Sequence, residues 1–183
     1  MCVITHIWHN VHYASQNTKC IGEYMALSKS AESVQKSLFE KGLEMEVIEL
    51  AASTRTAQDA ATSIGCQIGQ IVKSLLFCTK ETKQPVLILA SGINRVSEAA
   101  IQKYVGERIV KADADFTRDI TGFAIGGIPP IGHKTSIVHV YIDEDLLQYE
   151  TLWAAAGTPY AVFKLPAEKI QLITGGKIVP IKE

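Results

Sequence analysis

The 183-residue sequence lacks the features that mark several classes of protein. No stretch approaches 18 consecutive apolar residues, so no membrane-spanning helix is expected. Only four cysteines occur and none forms a C-x-x-C pair, which excludes a disulfide-rich miniprotein. Lys and Arg number 18 against 19 Asp and Glu, giving a net charge of -1. The positive excess that a broad nucleic-acid-binding surface needs is therefore missing.

The remaining composition is that of an ordinary globular domain. Apolar residues make up 47% and charged residues 20%, and the length suits one domain. There is no G-x-G-x-x-G or Walker motif, and we predict neither a cofactor nor a bound metal. Because no secretory signal is visible and the thiols are expected to be reduced, we predict a cytoplasmic protein without a membrane partner.

Residues 1–27 differ from the rest in composition. They contain two charged residues and three of the five histidines, His6, His9 and His12. The spacing of these histidines is compatible with a metal site, but a tail outside the core fold is the interpretation we favour. Met25 is a plausible alternative start. The sequence therefore predicts a tail over 1–27 and one domain over 28–183.

Local patterns predict helices and strands that alternate irregularly. Helices are expected from an N-cap at Ser30 to Gly42, from Thr56 to Gly65, and over 97–105, 113–119 and 143–156. Strands over 71–79 and 85–90 read as a hairpin, and further strands are expected over 45–50, 108–112, 137–142, 160–165 and 178–181. This order predicts an α/β (α+β) fold with a mixed, curved central sheet surrounded by helices.

Lys73 is the first candidate for chemistry. In a strand, Lys73 shares one face with the apolar Ile71, Leu75 and Phe77. A lysine on such a face either extends to solvent along its aliphatic stem or points into a pocket. Both interpretations stay open on periodicity alone.

A glycine- and proline-rich loop is the second candidate. Its sequence is Gly126-Gly127-Ile128-Pro129-Pro130-Ile131-Gly132-His133. The prolines stiffen it and the glycines let a ligand approach the main chain, so the amides of Gly127, Ile128, Ile131 and Gly132 are candidate donors to an oxyanion. The alternative is a tight structural connection. His133 is either a general base, although no Ser or Cys partner is evident, or a structural histidine.

Residues 153–159 are a third candidate. Three alanines and Gly157 follow Trp153, and these small residues either make room for a ligand or form a helix end packed on the sheet.

Taken together, these blocks resemble the YbaK/ProX superfamily, the aminoacyl-tRNA editing domains related to the insertion domain of bacterial prolyl-tRNA synthetase. The helix at 56–65, the strand carrying Lys73 and the loop at 121–133 with its G-x-x-x-P element carry the resemblance, which runs over about 30–176. The segments 90–96 and 157–159 are weaker markers. The resemblance implies that the catalytic residues are Lys73, Gly126, Gly127 and Ile128. It also implies a set of substrate-binding residues: Pro129, Pro130, Gly132, His133, Ser91, Asn94 and Gly157.

The resemblance implies a free-standing, trans-editing deacylase that hydrolyses the ester of a mischarged tRNA. A synthetase pocket rejects a slightly smaller amino acid only about 10–200-fold, so a second, size-limited site must remove the errors. The expected substrate is a small amino acid on tRNA-Pro or a similar tRNA. The expected partners are the acceptor end of aminoacyl-tRNA and, as a candidate, an aminoacyl-tRNA synthetase. Two alternatives stay open: a catalytically silent module that binds aminoacyl-tRNA or a synthetase, and an unrelated hydrolase that uses His133.

Overall fold

The computed structural model describes residues 26–51 and 53–182. In these residues five α-helices occur: Lys29–Glu40 (α1), Ala57–Ile64 (α2), Glu98–Val105 (α3), Ala114–Thr121 (α4) and Ile170–Thr174 (α5). Eight strands accompany them: Val47–Glu49 (β1), Ile71–Thr79 (β2), Pro85–Ser91 (β3), Ile109–Lys111 (β4), His139–Asp143 (β5), Thr151–Ala155 (β6), Ala161–Pro166 (β7) and Lys177–Val179 (β8). Met25 and the three N-terminal histidines lie outside the described residues.

All eight strands belong to one mixed sheet, as predicted. The order is β1-β7-β6-β2-β3-β5-β8, and β4 pairs separately with β2. The β2–β3 hairpin is antiparallel, whereas β3 with β5 and β2 with β6 are parallel. None of the described helices is long and apolar enough to cross a membrane.

Helices cover both faces of the sheet. On one face the main cluster joins Val34 and Leu38 of α1 to Phe163 of β7 and to Ile128 of the long loop. On the other face Phe77 of β2 packs with side chains near α3, and α2 covers Ile71. Leu27 also packs against the main cluster, directly beside the expected domain boundary at residue 28.

The prediction of a helix over 143–156 is wrong. Asp143 ends β5, a short 3-10 segment spans Glu144–Gln148, and Thr151–Ala155 forms strand β6. Leu152 and Ala154 are buried while their neighbours are half-buried, which is the period of two of a strand. Pairing with β2 and β7 outweighs the helical propensity of the three alanines.

The first helix begins earlier than predicted. Ser28, not Ser30, is the N-cap: its side chain accepts from the Ala31 amide, and its own amide donates to Glu49 Oε1 at 2.8 Å. The predicted caps of the second helix are confirmed, because Thr56 accepts from the Asp59 amide and Gly65 adopts φ +78°. The segment after Pro166 is a 3-10 turn over Ala167–Lys169, followed by the short helix α5.

The sheet splits along one edge of β2. Strand β6 pairs with β2 at Ile71 and Val72, and β4 pairs with it from Phe77 onward. Residues 73–75 therefore pair with β3 on one side, while their other edge faces the gap between β6 and β4. This gap positions the candidate site.

Candidate active site

The gap opens into a cavity of about 1040 Å³. Its apolar wall comes from α2 and β6, and comprises Ala57, Ala60, Ile64, Trp153, Ala154 and Ala155. Of the residues predicted as functional, Lys73, Asn94, Gly126 and Ile128 line the cavity. The small side chains at 154 and 155 thus do border a space that could hold a ligand, although they lie on a strand.

Lys73 occupies a fixed position in this cavity. Its Nζ donates to the main-chain oxygens of Gly92 at 3.1 Å and Asn94 at 2.5 Å. An ammonium has three donors, so one is left for a ligand. Burial lowers the pKa of Lys73, the charge of Asp143 opposes that shift, and Arg95 adds to it. Lys73 therefore points into the pocket instead of extending to solvent.

The turn that holds Lys73 requires glycine at position 92. A Cβ on Gly92 would lie 2.0 Å from the main-chain oxygen of Ile68. Ser91, immediately before it, is fully buried, and its Oγ donates to the Gly69 oxygen at 2.8 Å. Ser91 does not line the cavity, so the structure places it behind the turn rather than against the ligand space.

The loop at 126–130 reaches the cavity through Gly126 and Ile128. The amide of Gly127 donates to the Ala124 oxygen at 3.0 Å, so it is not available as an oxyanion donor. Gly127 instead supports the loop, since its oxygen accepts from the Gly157 amide at 2.9 Å. Gly127 and Gly157 both lie outside the cavity lining and join the loop to the end of β6.

The rest of the loop packs into the protein. Pro129 and Pro130 are buried, and neither they nor Gly132 line the cavity. His133 also lies outside the lining, with Nε2 2.8 Å from the Pro129 oxygen. Burial lowers the pKa of His133, and its bond to Pro129 partly opposes that shift. The part of the lining formed by described residues contains no histidine or cysteine.

Charged residues surround the cavity. Lys73 was predicted as functional, and Arg95, Lys111, Arg55 and Glu98 line the cavity beside it. The convergence of these four could not be found from the sequence, because isolated charged residues carry no periodic signal. The described lining thus has four cationic residues and one acidic one, within a chain of net charge -1.

The unpaired edge of β2 adds polar groups to this site. The Leu76 oxygen accepts from the Ala112 amide at 3.2 Å, across the edge that faces away from β3. Alternate residues of a strand direct their main-chain groups to the same edge, so the N–H and C=O of Ser74 face the gap. Ser74 Oγ is buried and has no hydrogen-bond partner among the described residues. Buried polar atoms normally have partners, so the unpaired Ser74 hydroxyl beside the cavity is an exception to that rule.

The sequence matches a known protein family over the residues that form this site. The model of the aminoacyl-tRNA editing domain family matches residues 51–172, a range that includes Lys73 and the whole 121–133 loop. The chain belongs to the aminoacyl-tRNA editing domain family. The resemblance stated from sequence is confirmed.

Three proteins similar to this chain are consistent with its membership of this family. A solved structure described as a candidate trans-editing enzyme for prolyl-tRNA synthetase is 44% identical, with a TM-score of 0.82 over 86% of this chain and 99% of that one. The YwhH protein of Bacillus subtilis (strain 168) is 27% identical over 81% of this chain and 94% of its own length. The proline–tRNA ligase of Limosilactobacillus fermentum is 31% identical over 63% of this chain, which corresponds to 21% of the ligase.

Among the described residues, no group of three or more His, Cys, Asp or Glu side chains is arranged to hold an ion. The histidines that raised the metal hypothesis lie outside those residues.

Proposed function

We propose that the protein is a trans-editing deacylase that hydrolyses the ester between a mischarged small amino acid and the terminal adenosine of tRNA-Pro or a similar tRNA. One observation carries the proposal: Lys73 and the loop residues Gly126 and Ile128 line a single cavity whose described lining lacks histidine and cysteine. The described lining has the hydroxyl groups of Ser74 and three threonines but no histidine to activate them, which suits hydrolysis without a covalent enzyme intermediate. The relatives linked to prolyl-tRNA synthetase by name support the choice of tRNA.

In the proposed reaction, Lys73 binds a polar group of the 3′-terminal nucleotide with its remaining ammonium hydrogen. Water attacks the ester carbonyl and forms a new C–O bond. The amides of Gly126 and Ile128 stabilise the resulting oxyanion, since the Gly127 amide is already bonded. The C–O bond to the ribose then breaks, and the ribose oxygen takes the proton that the attacking water releases. The products are the free amino acid and uncharged tRNA.

The proposed partner is the acceptor end of the tRNA, not its whole surface. The four cationic residues at the cavity are enough to contact a few phosphates of a single-stranded end. An aminoacyl-tRNA synthetase that holds the rest of the tRNA would be compatible with the near-zero net charge.

A panel of charged tRNAs tests this proposal. Alanyl-, seryl- and cysteinyl-tRNA-Pro are incubated with the protein beside correctly charged prolyl-tRNA-Pro, and release of the amino acid is followed over time. Hydrolysis of one small-residue species, with prolyl-tRNA-Pro spared, is the expected result. Binding without turnover would support the silent module instead, and indifference to every species would reject both tRNA hypotheses.

A further inference from the structure

A buried carboxylate lies behind the turn that holds Lys73. Asp143, at the end of β5, is fully buried, and its Oδ2 accepts from the Ser91 amide at 2.9 Å and from Asn94 Nδ2 at 2.8 Å. Its Oδ1 accepts from the Asp145 amide at 3.1 Å. Each carboxylate oxygen of Asp143 thus has a partner, as a buried charge requires.

The topology brings Asp143 to this turn. Strands β3 and β5 are parallel neighbours, with Leu89 opposite Ile142, so both end at the same edge of the sheet. Ser91 is the last residue of β3 and Asp143 the last of β5. The chain between Ser91 and Asn94 therefore begins and ends on the same carboxylate.

That turn supplies both acceptors of the Lys73 ammonium. The Gly92 and Asn94 oxygens fix Nζ, while the Asn94 side chain is itself fixed by Asp143 and by Asp145 Oδ2 at 2.7 Å. An ion pair between Asp145 and Lys182 closes the network on its outer side. Asn94 therefore links the two residues: its side chain donates to the Asp143 carboxylate, and its main-chain oxygen accepts from Lys73.

We infer that Asp143 is a positioning residue for the deacylase: it orients the Ser91–Asn94 turn so that the turn's carbonyls aim the Lys73 ammonium at the substrate. The inference rests on the proposed function of Lys73. Asp143 does not line the cavity, so it acts through the turn and not by touching substrate. A misplacement of a catalytic group by about 1 Å can cost on the order of 100-fold in rate.

Asp143 also contributes charge at Lys73. Its negative charge raises the pKa of that lysine, against the effects of burial and of Arg95. The other charged groups around the network and cavity are Glu144, Asp145, Lys182, Arg55, Glu98 and Lys111. Loss of the Asp143 charge therefore lowers the pKa of Lys73 further, and the alkaline limit of an activity that needs the ammonium moves to lower pH.

The test compares Asp143→Asn with Asp145→Asn as the matched control. In Asp143→Asn, Lys73 still binds the nucleotide but holds the ester out of line with the loop amides. The variant is therefore expected to lower kcat by about 10–100-fold with a smaller change in KM, and to move the alkaline limb of the kcat profile to lower pH. Asp145→Asn makes the same isosteric change but leaves the Ser91 amide bond intact, so a smaller loss of kcat is expected. Equal effects of the two variants, or a wild-type kcat and pH profile in Asp143→Asn, would overturn the inference.

Two further measurements cover other outcomes. If Asp143→Asn does not fold by circular dichroism, Asn94→Ser takes its place: it keeps Asp143 on the Ser91 amide and must still lower kcat more than it raises KM. If the wild-type protein hydrolyses no substrate, the proposed function fails on its own. The pKa of Lys73 is then measured by NMR from its Cε signal in protein containing 13C-labelled lysine, with the signal assigned by its loss in Lys73→Arg. A lower pKa of Lys73 in Asp143→Asn supports the inference. An unchanged titration rejects it.

Discussion

The main-chain oxygen of Gly127 accepts a hydrogen bond from the Gly157 amide at 2.9 Å, which joins the proline-containing loop to the end of β6. A Cβ on Gly127 would lie 2.8 Å from Thr158 Cα, so the two backbones meet more closely than any side chain allows. The contact holds one wall of the cavity against the other. Gly127 is thus a structural support for Gly126 and Ile128.

Gly127→Ala is expected to reduce deacylation by displacing this loop. The added methyl group must push the loop away from Thr158, at a cost of about 1–3 kcal/mol in the free energy of unfolding. Gly42→Ala is the control, since its φ of +70° costs about 1–2 kcal/mol but its Cβ meets nothing within 4 Å. The two variants are expected to have comparable melting temperatures, and only Gly127→Ala is expected to lose activity. Equal activity in both would show that the loop position is unimportant.

Lys73→Ala is expected to abolish deacylation while leaving the fold intact. Lys73 is half-buried, and its removal leaves the Gly92 and Asn94 oxygens facing the cavity, where water can reach them. Lys80→Ala, an exposed substitution just beyond the end of β2, should retain full activity. Single-turnover rates and thermal melts measure both. Retained activity in Lys73→Ala would remove this lysine from the mechanism.

Ser74→Ala separates a ligand contact from a packing defect. Ser74 Oγ is buried without a partner, so its removal is expected to stabilise the fold by about 1 kcal/mol and raise Tm by about 2–4 °C. If the hydroxyl contacts the substrate, KM rises at the same time. Ser53→Ala is the matched control, because Ser53 Oγ is also buried and unpartnered but lies outside the cavity lining. A KM that is unchanged in both variants would exclude Ser74 from substrate binding.

The elements with strong local signals could be predicted from sequence. The β2–β3 hairpin is confirmed, as are the helices capped by Thr56 and Ser97, because each has a capping side chain or turn within a few residues. Strand β6 could not be predicted from its alanines, since pairing with β2 and β7 decides its conformation. Ser28 replaced Ser30 as the first cap because Glu49, 21 residues away, binds its amide.

The residues of the candidate site also fall into those that the sequence marks and those that only the fold brings together. Lys73 and the loop could be found because their residue types and order stand out in the sequence. Arg55 and Ser74 could not be placed, since only the packing of α2 and the split of the sheet bring them to the cavity. Asp143 was predicted as a helix start, yet its carboxylate binds a turn some 50 residues earlier in the chain, a relationship that no local pattern encodes.

The salt dependence of tRNA binding tests the local character of the charged site. A single-stranded end gives a slope of about -0.7 per phosphate contact in a plot of log affinity against log salt, so three or four contacts give about -2 to -3. Arg55→Ala should make the slope shallower by about 0.7, whereas Arg118→Ala, exposed on α4 and outside the lining, should not change it. Titrations at several salt concentrations measure this. A much steeper slope would indicate an extensive tRNA-binding surface.

His133 is expected to affect stability in acid rather than catalysis. Because burial lowers its pKa in the folded state, His133 is neutral in both states well above pH 6.5. Below pH 6.5 the unfolded chain takes up a proton before the folded protein does, so the free energy of unfolding decreases as the pH falls toward the folded-state pKa.

His133→Gln should therefore reduce the loss of stability between pH 6.5 and the folded-state pKa of His133. It should leave the pH profile of kcat unchanged, because His133 lies outside the cavity lining. Urea unfolding at pH 7.5, 6.0 and 5.0, with deacylation rates at each pH, measures both effects. The control is His139→Gln, since this half-buried ring contacts Gln84 at 3.1 Å and packs outside the loop. If kcat lost its acid limb in His133→Gln alone, the general-base role would be restored.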